Sequence, residues 1–214
     1  MSRIVVFGAA GKAGSRVVAE AAARGHEVTA VARDLSRLGQ LPAGVRAVHG
    51  DVTDSESVAG LAKGADALVL TVGGPDARLY TDAVATAAAA VRALGSGGPR
   101  ILHMGGGASL LNDDGVRFFD APEFPEEFKP YAIGQIQALD AYLRLSDDVT
   151  WTYVSPPPVH FAPGERTGHY RTALDRPVTG DDGQARVSYE DYAVALVDEI
   201  ENPRHLNQRF TVGS

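Results

Sequence analysis

The chain has 214 residues, 44% hydrophobic and 22% charged, with a formal net charge of −7 and no cysteine. Length and composition allow one globular α/β domain with its own packed core. The missing cysteine excludes disulfides, thiolate metal sites and a thiol nucleophile. The acidic balance argues against a nucleic-acid-binding face, and no apolar run reaches the length of a membrane span or secretory signal. The expectation is a cytoplasmic protein.

Read in chain order, short apolar runs alternate with helix-like segments. Arg3–Phe7 reads as a buried strand, followed by a helix over Gly11–Arg24 that Gly25 ends. HEVTAVAR from His26 is a second strand, and Val45–Asp51 a third. Asp54 can cap a short helix through Leu61. Asp66–Val72 is a fourth strand, Asp76–Leu94 a long Ala-rich helix, Arg100–Met104 a fifth strand, Tyr131–Leu145 a helix and Thr150–Ser155 a sixth strand. Buried strands in β-α-β order predict an α/β fold: a Rossmann-type, doubly wound parallel sheet with helices on both faces.

After Ser155 the composition turns rich in Pro and Gly, which predicts a long functional loop containing a short strand. A helix then follows with Ser188 as N-cap and Asp191 in the capping-box position, and QRFTV is a last strand. Residues 1–155 are therefore expected as a nucleotide-binding core. Residues 156–214 are expected as a small, non-independent lobe over the strand ends.

Between the first strand and the first helix lies GAAGKAG, with Gly8, Gly11 and Gly14 spaced G-x-x-G-x-x-G. One glycine permits the tight turn, another lets the backbone approach a pyrophosphate, and the last lets helix and strand pack closely. The first helical turn offers free N–H groups to the anion. Ala10, Lys12 and Ala13 complete this loop. A Walker-type P-loop does not fit, because Val6 stands where its first glycine would be and Ala13 follows Lys12.

At the end of the second strand a carboxylate would bind the ribose hydroxyls of NAD. Here Ala32 and Arg33 occupy that place. A guanidinium can pair with a 2′-phosphate, so NADP(H) is expected over NAD(H), against the alternative that Arg33 is an ordinary surface charge. Asp34 is read as the cap of the next turn. Asp51 and Val52 end the third strand where an adenine would lie, with a turn carboxylate as the alternative reading of Asp51. Thr71, Val72 and Gly73 end the fourth strand along the ribose and pyrophosphate.

The stretches GAAGKAGSRVV, ARGHEVTAVAR and GDVTD resemble the atypical short-chain dehydrogenase/reductase superfamily. WTYVSPPPVHFAPGERTGHYR and the C-terminal VSYEDYAVALVDEIENPRHLNQRFTVG are similar to its NAD(P)H-flavin reductase and biliverdin-IXβ reductase-like members, with the NmrA-like proteins further off. This resemblance spans nearly the whole chain. It implies hydride transfer from NADP(H) to a flavin or similar flat acceptor, and it carries His160 over as an active-site residue. Those relatives place a serine after the fifth strand, where this chain has Gly105, Gly106 and Gly107, with Ser109 nearby.

Typical members of the superfamily use Y-x-x-x-K, in which the lysine lowers the tyrosine pKa. This chain reads YAIGQ, with Tyr131 as the candidate acid and Gln135 in place of lysine. Carbonyl–alcohol redox is disfavoured by that change, and so is sugar epimerisation or dehydration. Flavin reduction needs binding and stacking geometry more than a tuned acid. Met104, Gly105 and Gly106 are expected beside the nicotinamide, the glycines leaving room for a flat ring. Phe161, Arg166, His169 and Tyr170 are expected as a substrate wall, with Arg166 and Arg171 offering charge to a flavin phosphate. The six histidines form neither H-x-x-x-H nor H-E-x-x-H, so no metal site is expected, and no G-x-S-x-G elbow is present. The rival reading is a non-catalytic NADP(H)-sensing protein of NmrA-like type. Neither membrane nor nucleic acid is expected as a partner, and the oligomeric state is not legible.

Overall fold

The structure, a computed structural model, describes residues 1–214. Ten strands and five α-helices follow in the order β1 (Arg3–Phe7), α1 (Lys12–Ala23), β2 (Glu27–Ala32), β3 (Arg46–His49), α2 (Ser55–Ala62), β4 (Ala67–Leu70), α3 (Ala77–Leu94), β5 (Arg100–Met104), α4 (Lys129–Leu143), β6 (Trp151–Ser155), β7 (His160–Ala162), β8 (Arg171–Ala173), β9 (Arg186–Ser188), α5 (Tyr189–Glu201) and β10 (Gln208–Gly213). The main sheet runs β3-β2-β1-β4-β5-β6-β10-β8, all parallel except the edge strand β8, which pairs antiparallel with β10. This is a Rossmann-like α/β fold. Its strand order reverses between β1 and β4, which opens a crevice at the carboxyl ends of those strands.

Near-continuous burial of the central strands follows from covering both faces of the sheet. On one face Val5, Phe7, Leu68, Leu70 and Ile101 pack against α2, α3 and α4. On the other, Ile4, Val6, Val28, Ala30, Val69 and Leu102 meet α1 and α5. The Ala tract of α3 lies in the first layer, with Ala87, Ala88 and Ala90 buried, so it serves close helix packing. Where α4 crosses α3, a Cβ on Gly134 would stand 2.3 Å from the Tyr80 ring.

Several boundaries differ from the sequence expectation for local reasons. Helix α4 begins two residues before Tyr131, because Pro130 fits the first turn, where its missing N–H costs nothing. Asp54 and Asp76 cap α2 and α3 through their carboxylates. Ser188 caps α5 by accepting from Asp191 N–H at 2.9 Å. Asp191 does not complete a reciprocal box; its carboxylate accepts instead from Thr167 Oγ1 at 2.6 Å and Gly168 N–H at 2.8 Å.

The segment after Ser155 is built into the main body rather than standing over the strand ends as a lobe. β10 and β8 extend the sheet beyond β6, and α5 packs along α1. Only β7 and β9 form a separate, two-stranded ribbon. No helix is long and apolar enough to cross a membrane.

Candidate functional site: a nucleotide cleft and an apolar cavity

At the end of β1 the chain turns at Gly8, whose φ of +79° is a left-handed conformation that glycine adopts without strain. The turn closes with Gly11 N–H donating to the Gly8 carbonyl at 2.9 Å. Gly11 then opens α1 with no capping side chain and no acidic residue in the first turn. The N–H groups of Lys12, Ala13 and Gly14 thus have no intrahelical acceptor and stand at the positive end of the helix dipole. Gly14 is fixed by contact: a Cβ there would lie 2.3 Å from the Gly8 carbonyl oxygen and 2.5 Å from Thr71 Oγ1. Thr71 is itself held, its hydroxyl donating to the Phe7 carbonyl at 2.8 Å. Helix α1 can lie this close to the ends of β1 and β4 only because position 14 carries no side chain. The result is a cradle of free donors that fits a pyrophosphate.

A cavity of about 190 Å³ opens beside this cradle, lined by Gly8, Ala10 and Gly11, by Ala32–Asp34, by Asp51 and Val52, and by Thr71–Gly73. Arg33 stands exposed on its rim and has no carboxylate within ion-pair distance. Asp34 caps the next turn: its Oδ1 accepts from Ser36 N–H at 3.0 Å and Ser36 Oγ at 2.7 Å and starts a short 3₁₀ turn, Leu35–Leu38. These bonds hold the Asp34 pKa below the ordinary value. That turn carries a second guanidinium, Arg37, to the same rim, also without an ion-pair partner. Arg37 escapes the sequence reading because the fingerprint fixes only the residue ending the strand. The signal was the capped turn, which brings a side chain four residues on back to the same opening. Asp51 lines the cavity and is also a turn carboxylate, its Oδ1 accepting from Thr53 N–H and Thr53 Oγ1, both at 2.9 Å.

The second half of the site lies at the ends of β5 and β6. Gln135, on the second turn of α4, is buried; its Nε2 donates to the Met104 carbonyl at 3.2 Å and its Oε1 accepts from the Tyr153 hydroxyl at 2.9 Å. The Tyr153 oxygen in turn accepts from Gly106 N–H at 3.2 Å. Burial pushes the Tyr153 phenol well above the usual tyrosine range, so it acts here as a neutral donor. The three glycines after β5 have a different use from the one their size implies. A Cβ on Gly105 would stand 1.9 Å from the Tyr153 ring, and one on Gly107 would stand 2.6 Å from the Pro158 backbone. The room they leave is filled by β6 and its Pro-rich continuation. Gly106 borders open space, with Gln135 Cβ at 3.0 Å to one side.

That open space is a cavity of about 400 Å³, walled by Gly106, Phe118, Phe124, Phe128, Tyr131, Gln135 and Val159 among others. Tyr131 is 44% exposed and shares the α4 face with Gln135, one turn apart. No lysine or arginine lines this cavity. The phenylalanines lie on irregular backbone with short 3₁₀ turns at Phe118–Asp120 and Glu126–Phe128. Periodicity does not reveal them. Their signal is density: of seven phenylalanines in the chain, four (Phe118, Phe119, Phe124 and Phe128) fall within eleven residues.

The expected substrate wall is dispersed. His160 is exposed at the start of β7, next to Val159 but outside the cavity lining. Phe161 turns into the α5 side of the core, its ring 4.4 Å from that of Tyr189 and 5.0 Å from that of Tyr192. Arg166 is taken by both carboxylate oxygens of Glu20 on α1, each at 2.7 Å, and this pairing leads in lowering the Glu20 pKa. Tyr170 donates to Asp198 on α5 at 2.5 Å. Arg171 bonds the Thr179 carbonyl at 2.6 Å, and His169 is exposed in the connecting loop. For Phe161, Arg166 and Tyr170 the physical reason is shared: α1 and α5 present carboxylates and apolar surface along their seam, and this loop satisfies them. It acts as a strap across the back of the sheet, not as a wall of the cleft.

Beneath the apolar cavity lies a fully buried histidine that the sequence reading did not single out. The His103 ring stacks on Tyr153, with centroids 5.3 Å apart and planes 10° apart. Its Nδ1 is 3.2 Å from the Tyr142 hydroxyl, and its Nε2 has no partner. Burial lowers its pKa to about 4, so it is neutral at physiological pH.

Comparison with known proteins agrees with this geometry. The family described as NAD(P)H-binding matches residues 8–203. The uncharacterised protein YwnB of Bacillus subtilis (strain 168) is 36% identical over 214 residues, covering 99% of this chain and 98% of that protein. Among solved structures, a "putative NADH-flavin reductase" of Streptococcus pneumoniae is 33% identical with a TM-score of 0.87, each chain covered in full. A "putative epimerase" of Bacteroides thetaiotaomicron is 32% identical with a TM-score of 0.86, covering 99% of this chain and 96% of that one. A "putative exported protein" of Burkholderia pseudomallei is 34% identical with a TM-score of 0.88, again with each chain covered in full.

Proposed function

Since the chain belongs to the NAD(P)H-binding family, we propose that it is an NADP(H)-dependent oxidoreductase reducing a flat aromatic acceptor of the flavin type. The observation that carries this reading is the cavity walled by Phe118, Phe124, Phe128 and Tyr131, which opens after β5, at the same carboxyl edge of the parallel sheet as the nucleotide cradle, and contains no charged acid–base pair. The N–H groups of Lys12, Ala13 and Gly14 would hold the pyrophosphate, and Arg33 with Arg37 the 2′-phosphate. Thr71–Gly73 would border the ribose, and Met104 and Gly106 the nicotinamide. A bound NADPH supplies one hydride, so that with one proton from water the oxidised acceptor becomes its dihydro form and NADP⁺ remains.

The protein's own contribution is placement and exclusion of water. The phenylalanines offer faces and edges against which an aromatic ring stacks. Gln135, pinned between Met104 and Tyr153, fixes the height of α4 above the strand ends. Tyr131 offers a hydroxyl to the acceptor's polar edge. Such a site favours direct hydride transfer over carbonyl reduction, which needs a tuned proton donor. The S. pneumoniae relative named for flavin reduction supports the same direction. Steady-state NADPH oxidation with riboflavin tests it: acceptor-dependent turnover is expected, and tight NADPH binding without turnover would replace the enzyme by a nucleotide sensor.

A further inference from the structure

The charges around the apolar cavity restrict what can enter it. Residues 106–135 carry six carboxylates (Asp113, Asp114, Asp120, Glu123, Glu126 and Glu127) and two cations (Arg117 and Lys129). Both cations are already neutralised locally. Arg117 grips Asp120 through two bonds, at 2.7 and 3.2 Å, and Lys129 pairs with Glu126 at 2.5 Å. Two cations on other elements are occupied too: Arg209 is bound to Ser109 and Asp175, and Arg176 to the carbonyls of Asn112 and Asp113. One charged side chain lines the cavity itself, Glu123, and it has no ion-pair partner. Arg166 and Arg171, the residues expected to meet a flavin phosphate, are committed to Glu20 and to the Thr179 carbonyl elsewhere.

We propose that this cavity takes a planar aromatic acceptor bearing no anionic group, and that Glu123 is the specificity-determining residue that turns phosphate-bearing acceptors away. The inference rests on the reductase reading above and narrows it: riboflavin or an uncharged quinone fits, FMN and FAD do not. The walls supply stacking and apolar contact to the ring, which all these compounds share. The carboxylate discriminates among them, because a dianionic phosphate a few ångströms from Glu123, in a cavity whose lining carries no cation, is repelled.

Two readouts test this at low ionic strength. One is quenching of flavin fluorescence on titration with the protein in the presence of NADP⁺. The other is NADPH oxidation with riboflavin, FMN and menadione. The expected result is a Kd and KM for FMN about fivefold or more above those for riboflavin, the gap shrinking as salt is added. Glu123→Gln should draw FMN toward riboflavin, and Glu123→Lys should reverse the order. Reduction of menadione as well as riboflavin would mark the site as selecting ring and charge; reduction of riboflavin alone would mark it as selecting the isoalloxazine. FMN bound as tightly as riboflavin, or an unchanged ratio in both Glu123 variants, overturns the proposal. If no acceptor is reduced while riboflavin still outbinds FMN, the reductase reading falls and the charge preference stands. If neither flavin binds, both fall.

Discussion

Replacing Arg33 and Arg37 by alanine probes the nucleotide cleft where its logic is simplest. Both guanidiniums are exposed on the cavity rim, and neither is paired with a carboxylate. Their removal therefore leaves no buried charge behind and should not alter folding. A charge-assisted hydrogen bond contributes about 1.5–3 kcal/mol where it is protected from water, and solvent screening reduces this at an exposed rim. Roughly 1–2 kcal/mol remains for contacts to a 2′-phosphate, or about a 5- to 30-fold rise in the NADPH Kd. NADH lacks that phosphate, so its Kd should stay within about twofold. Isothermal titration of both nucleotides into the native protein and the double variant gives the ratio directly. An NADPH/NADH preference that is unchanged in the variant would refute the assignment of these two residues, whatever happens to absolute affinity.

Three further perturbations bear on other parts of the molecule. Gly14→Ala places a methyl 2.3 Å from the Gly8 carbonyl oxygen; because that contact is backbone, α1 must move, and the Kd for either nucleotide should rise about tenfold or more, measured by the same titration. Arg166→Ala should lower stability by about 1 kcal/mol in urea unfolding while leaving the riboflavin KM unchanged; a raised KM would restore Arg166 to the acceptor site. His103 has a depressed pKa, near 4, so below the ordinary value of 6.5 the unfolded chain binds a proton that the folded chain refuses. Stability should thus fall by about 3 kcal/mol between pH 7 and pH 4 on account of this residue. His103→Phe should flatten that part of the urea-unfolding profile, and an equally steep profile in the variant would contradict the assignment.

The nucleotide half of the molecule was legible because its determinants are local. A strand, three spaced glycines and a helix start leave little freedom in where the cradle forms, and Arg33 sits at a position fixed by the strand end. Asp34 was legible as a turn former for the same reason: a carboxylate two residues before a free N–H closes on it; Asp51, read first as an adenine-side residue, makes the same kind of turn. The apolar cavity was not, because its residues are brought together by tertiary contacts. Phe118, Phe124 and Phe128 lie on irregular backbone with no period to betray a common face. The strap from Phe161 to Tyr170 reads as an aromatic, basic loop in one dimension. Which carboxylates it meets depends on Glu20 and Asp198 facing one seam between α1 and α5, and residue order does not encode that. The run Gly105–Gly107 misleads in the opposite sense, since small residues imply space, yet two of the three are small because Tyr153 and Pro158 already fill it.

The central claim is that this cleft passes hydride to a flat acceptor rather than merely binding a nucleotide. Mixing the native protein with NADPH and riboflavin without oxygen, and following absorbance at the nicotinamide and flavin bands together, tests it most directly. The account predicts that both bands bleach in equal molar amounts, at a rate proportional to protein concentration. Saturable NADPH binding with no protein-dependent bleaching of either band would contradict it.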